Sequence, residues 1–263
     1  MDRTDTRGFI SSGSTGRVSG PGPDSVRDRL VLALDVSSLD EAVALARRLR
    51  QYFGVVKVGL ELFAAEGPLA LDALLDEGFG VFCDLKLHDI PTTVGRAAKR
   101  IGALGASYLT VHCAGGEAMM EAATAGFEEG WAEAVGTGRP EPREASAGIL
   151  GVTVLTSEAD VAPGLVASHA LSAARSGCLG AVCAASDLAT VLTSAPGLVR
   201  VVPGIRLEGS GHDDQARISG PAEALAAGAD LLVVGRTVTS APDPVAAAEA
   251  LFEAVATAAL GAA

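Results

Sequence analysis

The sequence offers little that would suit a membrane or a nucleic-acid partner. No apolar run in its 263 residues approaches the roughly 20 residues that a bilayer-spanning helix needs. Lysine and arginine total 20 against 32 aspartates and glutamates, which gives a net charge of −12, and no basic cluster is present. Because nucleic-acid binding requires a basic face, we expect neither nucleic-acid nor membrane partners. A small anionic ligand would need individually placed cations.

Cysteine is also scarce, and none of the cysteines forms a CxxC pair. Each lies in or beside an apolar run, which favours reduced, buried thiols over a disulfide or a metal site and predicts a cytoplasmic protein. The four are Cys83, Cys113, Cys178 and Cys183.

The N-terminal residues 1–29 lack the apolar core of a signal peptide and are rich in Gly, Ser, Asp and Arg. We interpret them as a disordered tail with no assigned role. Residues 30–263 show no break in composition, so we expect them to form one domain.

From Leu30 onward a short apolar run followed by an Ala-rich amphipathic stretch recurs about every 25 to 30 residues. Near-continuous apolar runs predict parallel strands that are covered on both faces. Eight such units fit a single (β/α)8 TIM barrel, with an open doubly wound sheet as the alternative because periodicity alone does not prove closure. The runs are LVLALD (30–35), VVKVG (55–59), GVFCDLK (80–86), YLTVH (108–112), ILGVTVL (149–155), AVCAA (181–185), LVRVVP (198–203) and LLVVG (231–235).

Polar side chains follow nearly every predicted strand, at the end where a (β/α)8 barrel gathers its chemistry. The stretch FCDLKLHDIPTT (82–93) is the densest, with Asp84, Lys86 and Asp89 within six residues. Because side chains two apart on a strand share a face, we expect Asp84 and Lys86 to point together into the barrel mouth. With Lys57 and Asp35 they would form an alternating charged set, in which mutual pairing favours ionisation. A purely structural ion-pair network is the alternative.

Two arginine-bearing fragments follow the last two predicted strands, where barrels often bind phosphate. The fragments are PGIR (203–206) and VVGR (233–236). Glycine lets backbone N–H groups approach an anion, and arginine offers a bidentate fork to phosphate oxygens. Between the fragments, LEGSGHDDQARIS (207–219) is long enough to act as a lid.

These motifs together resemble the orotidine 5'-phosphate decarboxylase family. The matching pieces occur in family order over roughly residues 30 to 240, and DLKLHDIPTT is the most specific of them. The others are LALD, VKVGLELF, VHCAGG, VTVLTS, VVPGIR, DDQARI and VVGRTVT. The resemblance implies decarboxylation of orotidine 5'-phosphate to UMP and CO2, the last step of de novo pyrimidine nucleotide synthesis, without a cofactor or a metal.

The resemblance also implies roles for individual residues. Lys86 matches the proton donor, and Asp84 would lie near the departing carboxylate, acting either by ground-state repulsion or by preorganising Lys86. Asp89 and Thr93 match residues that reach into the partner subunit's site, which implies a homodimer. The remaining matches are Lys57 and Asp35 at the ribose, Thr156 at the pyrimidine, and Arg206, Gln215, Gly235 and Arg236 at the phosphate.

Two alternatives keep the barrel but change the function. The first is a metal-dependent sugar-phosphate lyase or decarboxylase, which would need a carboxylate ligand where this chain has Lys57. The second is a non-catalytic nucleotide-binding barrel. His88 and His112 have no metal-ligand spacing, and we interpret them as loop or pocket-supporting histidines.

Overall fold

The computed structural model describes residues 23–136, 147–158, 160–207 and 219–261. Eight strands in this part of the chain form a closed parallel barrel in the order β1 to β8, and β8 pairs with β1 to complete it. The strands are β1 Leu30–Leu34, β2 Val55–Val58, β3 Gly80–Leu87, β4 Tyr108–His112, β5 Gly148–Val152, β6 Gly180–Val182, β7 Val199–Val202 and β8 Leu231–Val234. The predicted (β/α)8 barrel is confirmed, and the open sheet is excluded.

Helices surround the barrel and connect its strands. Within the described residues they are α1 Pro23–Asp28, α2 Leu39–Leu49, α3 Leu60–Glu66, α4 Pro68–Asp76, α5 Pro91–Ala103, α6 Glu117–Gly136, α7 Leu165–Arg175, α8 Leu188–Ser194, α9 Pro221–Ala226, α10 Arg236–Thr239 and α11 Pro244–Gly261. Ser38 caps the start of helix α2, since its hydroxyl accepts a hydrogen bond from the Glu41 N–H at 3.4 Å. None of these helices is long and apolar enough to span a membrane.

The continuous apolar runs of the sequence correspond to two separate hydrophobic cores. Alternate strand residues pack inside the barrel, and the intervening ones pack outward against the helices. The inner core contains Val31, Ala33, Val55, Phe82, Tyr108, Leu150, Val201, Leu231 and Val233. Because this core fills the barrel up to Ala33 and Phe82, the next inward positions lie at its carboxyl-end mouth.

Helices α5 and α6 pack with their backbones unusually close, and glycine makes this possible. A Cβ added at Gly95 would lie 2.9 Å from the Ala122 carbonyl oxygen, and one added at Gly102, Gly126 or Gly130 would also meet backbone of the facing helix. Side chains at these positions would force the helices apart. The contact fixes the two helices that follow β3 and β4.

The N-terminal boundary differs from our prediction of a disordered tail over residues 1–29. Residues 23–28 form α1, and Val26 is buried in the outer core. Arg27 fixes this helix to the barrel, because its Nε donates to the Phe53 carbonyl at 3.2 Å and its carbonyl accepts from the Gly54 N–H at 3.0 Å. These contacts hold the segment in a defined structure, and they could not be inferred from its polar composition. Residues 1–22 lie outside the described residues.

Candidate active site

A cavity of about 230 Å³ opens at the carboxyl ends of the strands. Its lining combines charged side chains, apolar side chains and two arginines. The predicted site residues that line it are Asp35, Lys57, Asp84, Lys86, Thr156, Arg206, Gly235 and Arg236. The polar residues that follow different strands in the sequence therefore converge on one space.

Lys57 on β2 lies between two carboxylates, that of Asp35 just after β1 and that of Asp84 on β3. Its Nζ is 3.0 Å from Asp35 Oδ1 and 3.6 Å from Asp84 Oδ2. The Lys57 side chain is only 11% exposed, so this charge is largely removed from water. Burial of a lone ammonium is costly, and the two carboxylates offset that cost.

Lys86 completes the charged set. Its Nζ lies 2.8 Å from both carboxylate oxygens of Asp84, a bidentate contact of one ammonium with one carboxylate. The Lys86 side chain is 31% exposed, compared with 13% for Asp84. The ammonium of Lys86 therefore lies at the cavity surface with the carboxylate beneath it.

The electrostatic environment keeps Asp84 ionised. Burial is the largest single influence on the pKa of Asp84 and would raise it, but the positive charges of Lys57 and Lys86 act in the opposite direction. Hydrogen bonds from Lys86 and from the Thr110 hydroxyl lower the pKa further, so that it lies below the usual value for an aspartate. A fixed negative charge therefore stands between the two ammonium groups.

The backbone of β3 is irregular where it carries these charges. Cys83 pairs with Leu109 of β4, but the next pair is Leu87 with Val111, so four residue steps in β3 face two in β4. Lys86 has a φ of 49°, the one positive value among the described non-glycine residues. Such a left-handed conformation costs a non-glycine residue about 1–2 kcal/mol. Regular alternation, our reason for expecting Asp84 and Lys86 to point together, is thus not what aligns them.

Away from β2 and β3, the cavity wall is largely apolar. Side chains from β5, β6 and β8 and the segments that follow β5 and β7 form it: Val152, Val154, Leu155, Val182, Pro203 and Val233. An apolar surface beside a charged one suits a ligand that has an apolar part and a polar part.

Two arginines lie at the rim on the β7 and β8 side. Arg206 is buried, and its Nη1 donates to the Thr237 hydroxyl at 3.1 Å, which itself donates to the Ile205 carbonyl. Gly204 adopts a φ of 78°, which allows the tight turn that brings Arg206 back to the cavity. Arg236, the first residue of α10, is exposed and lines the cavity directly after Gly235.

Two predicted residues, Asp89 and Thr93, do not line this cavity. Asp89 and Thr93 are both exposed, and the Asp89 carboxylate accepts a hydrogen bond from the Ile90 N–H at 2.6 Å. Gln215, and with it most of the predicted lid 207–219, lies outside the described residues.

The histidines form a pair beside the site. The rings of His88 and His112 are 5.7 Å apart, and neither lines the cavity. Burial lowers the pKa of His112, and the nearby His88 and Lys86 lower it further. Within the described ranges, no group of three or more His, Cys, Asp or Glu side chains is arranged to hold a metal ion. All four cysteines are buried, and none is in a disulfide.

One polar residue of this region, Thr110, was not identified from the sequence. Thr110 on β4 is fully buried, and its hydroxyl donates to Asp84 Oδ1 at 2.9 Å. It lies two residues before His112 on a predicted strand, so alternation alone would have placed it facing inward. The apolar wall was also not predicted, because its residues look like any other barrel core in the sequence.

Comparison with known proteins gives consistent results. The model of the orotidine 5'-phosphate decarboxylase / HUMPS family matches residues 28–251. The orotidine 5'-phosphate decarboxylase of Moorella thermoacetica is 43% identical over 238 residues, covering 86% of this chain and 91% of that protein. The one from Anaeromyxobacter sp. strain K is 44% identical over 235 residues, covering 85% of this chain and 96% of that protein.

A solved structure agrees as well. The crystal structure of orotidine 5'-phosphate decarboxylase from Lactobacillus acidophilus superimposes with a TM-score of 0.69 at 31% identity. The match covers 87% of this chain and 99% of that one. Both the fold and the extent of the domain are therefore shared with these relatives.

Proposed function

The chain belongs to the orotidine 5'-phosphate decarboxylase family, and we propose from this that it converts orotidine 5'-phosphate to UMP and CO2. This reaction is the last step of de novo pyrimidine nucleotide synthesis, and we place it in the cytoplasm. The observation that carries the proposal is the convergence of Asp35, Lys57, Asp84 and Lys86 on a cavity whose rim on the β7 and β8 side holds two arginines.

Lys86 is the proton donor in this proposal. When the bond from the ring to the carboxylate breaks, CO2 leaves and the electron pair stays on the ring carbon. An ammonium fixed beside that carbon stabilises the developing charge and then gives it a proton, forming the C–H bond of UMP. Lys86 becomes a neutral amine and regains its proton from water. Its bidentate contact with Asp84 and its partial exposure to the cavity support this role.

Asp84 acts beside the departing carboxylate. Its lowered pKa keeps it ionised, so it holds the Lys86 ammonium in place and would also repel a substrate carboxylate nearby. Both effects require the same negative charge. Lys57 keeps that charge paired from the other side, at 3.6 Å.

The remaining cavity residues bind the substrate. We assign Asp35 and Lys57 to the ribose hydroxyls, since their 3.0 Å ion pair lies next to the charged centre. We assign Thr156 and the apolar wall to the pyrimidine ring. Arg206, Arg236 and the backbone of Gly235 bind the phosphate, with Gln215 contributed by the segment between β7 and α9.

The active enzyme is a homodimer in this proposal. Asp89 lies just before α5 and Thr93 in its first turn, both exposed and outside the lining of their own cavity, which fits a role in the site of a second copy. Two large apolar side chains are exposed on the same face, Leu60 at the start of α3 and Ile90 just before α5, at 62% and 65%. Exposed apolar residues around such polar groups suit an interface between subunits.

An absorbance assay with orotidine 5'-phosphate, run with and without a chelator, tests the proposal. We expect the substrate to be converted to UMP at the same rate in both. Activity that disappears on chelation would instead support a metal-dependent lyase. Binding of UMP without release of CO2 would support a nucleotide-binding barrel that has no catalytic function.

A further inference from the structure

The hydroxyl of Thr110 occupies the gap in the β3–β4 ladder. Thr110 is the β4 residue between Leu109 and Val111, which pair with Cys83 and Leu87 on either side of the irregular part of β3. Its side chain is fully buried, and its hydroxyl makes two hydrogen bonds, both to residues of the charged set. The hydroxyl therefore takes the place of a missing backbone partner.

The first of these hydrogen bonds is to the backbone of Lys86. The Lys86 N–H donates to Thr110 Oγ1 at 2.9 Å, at the residue whose φ is 49°. The irregular register turns this N–H away from a regular ladder acceptor, and a buried N–H without an acceptor would oppose the conformation. The Thr110 hydroxyl thus supplies the acceptor that the Lys86 N–H would otherwise lack in this left-handed conformation.

The second hydrogen bond is to the carboxylate of Asp84. A hydroxyl has a single proton to donate, and since Thr110 accepts from Lys86 its own proton goes to Asp84 Oδ1, 2.9 Å away. The same oxygen accepts from Lys86 Nζ at 2.8 Å. Asp84, Lys86 and Thr110 therefore form a closed ring that holds Lys86 at both its backbone and its ammonium.

We propose that Thr110 is a positioning residue that fixes the left-handed backbone of Lys86 and the orientation of the Asp84 carboxylate, so that the ammonium is held where the ring carbon takes up its proton. The inference rests on the proposed function. Thr110 does not line the cavity and acts only through its two partners. A displacement of about 1 Å in such a site can lower a rate by two orders of magnitude.

The chain offers a matched control in Thr153. This threonine is also buried after a neighbouring strand, and its hydroxyl donates to the Val182 carbonyl at 3.0 Å. It contacts neither Asp84 nor Lys86 and does not line the cavity. Replacing Thr153 by valine removes a buried hydroxyl of the same kind without touching the charged set.

The test compares Thr110→Val, Thr110→Ser and Thr153→Val with the wild type in orotidine 5'-phosphate turnover. We expect Thr110→Val to lower kcat roughly 10- to 100-fold while KM changes less than about threefold, because binding groups stay in place. Thr110→Ser should recover most of kcat, and Thr153→Val should keep it. Thr110→Ala repeats the test should the valine variant fail to fold.

The pH profile of kcat supplies a readout that a merely structural role would not move. A hydrogen bond to the ionised form lowers a pKa, so loss of the Thr110 donor should shift the acidic limb of Thr110→Val to higher pH. Equal kcat values in Thr110→Val and Thr153→Val, or no recovery in Thr110→Ser, would overturn the proposal. A wild type that leaves orotidine 5'-phosphate unchanged would instead overturn the proposed function.

Discussion

The half of the cavity formed by β1–β3 carries charges that pair with one another, whereas the half formed by β5–β8 is apolar with arginines at its rim. In the first half the Asp84 carboxylate lies within 3.6 Å of the ammonium groups of both Lys57 and Lys86. In the second half the valines from β5, β6 and β8 present a surface with no charge. The preorganised charges thus lie on one side of the barrel mouth, and the apolar wall with its two arginines lies on the other.

This difference indicates how each half contributes to the proposed reaction. Preorganised charges act on the charge that develops during reaction and need no rearrangement at that moment, so their loss should lower kcat. Contacts with the phosphate are present in both the bound substrate and the transition state, and their loss should weaken binding. Substitutions in the two halves should therefore have different kinetic signatures.

The largest effect is expected in the charged half, from Lys86→Ala. Removing the ammonium that we propose as the proton donor should reduce kcat roughly a thousandfold or more. Steady-state turnover of orotidine 5'-phosphate measures it, with thermal unfolding to show that the fold persists. Lys99→Ala, which removes a lysine paired with Glu129 and Glu133 on the outside of the barrel, should keep normal activity. Retention of a tenth of the wild-type kcat in Lys86→Ala would contradict the assignment.

A smaller effect, of a different kind, is expected in the arginine-bearing half. Arg236→Ala should weaken UMP roughly 10- to 100-fold, the contribution of one or two charge-assisted hydrogen bonds, and leave uridine nearly unchanged. Titration calorimetry with both ligands measures the difference. Arg175→Ala serves as the control, since Arg175 is 70% exposed on α7, outside the cavity lining. Equal losses for UMP and uridine would remove the distinction between the two halves.

Much of this division was predictable because it is encoded locally. Each strand is a short apolar run, and its polar residue stands at or just past its end, so Asp35, Lys57, Arg206 and Arg236 could be placed by the order of the strands alone. Parallel strands in a barrel bring those ends together whatever the residues between them.

The parts that were not predictable depend on contacts between distant residues. The left-handed backbone of Lys86 exists only where β3 shifts its register against β4, and Thr110 is recognisable as its partner only in that geometry. The packing of α1 likewise depends on the burial of Val26 and on the hydrogen bond from Arg27 to the Phe53 carbonyl, 26 residues later in the chain. Neither of these contacts between distant residues can be inferred from the local composition of the sequence.

The last prediction concerns residues that belong to the charged half in sequence but not in space. Asp89 follows β3 directly, yet it is exposed and does not line its own cavity. If it completes the site of a partner, Lys86→Ala and Asp89→Ala proteins should each be inactive alone. A mixed dimer of the two would place both substitutions in one site and leave the other native. After equal mixing and subunit exchange, half of the dimers are mixed, so turnover should return to roughly a quarter of the wild-type value.

A mixture of Lys86→Ala with Lys86→Met protein controls for recovery without sharing, because every site then lacks the ammonium. Mass spectrometry of tagged chains verifies the exchange. No recovery in verified mixed dimers would mean that the charged half is complete within one chain, because Asp89 would then act only in its own subunit.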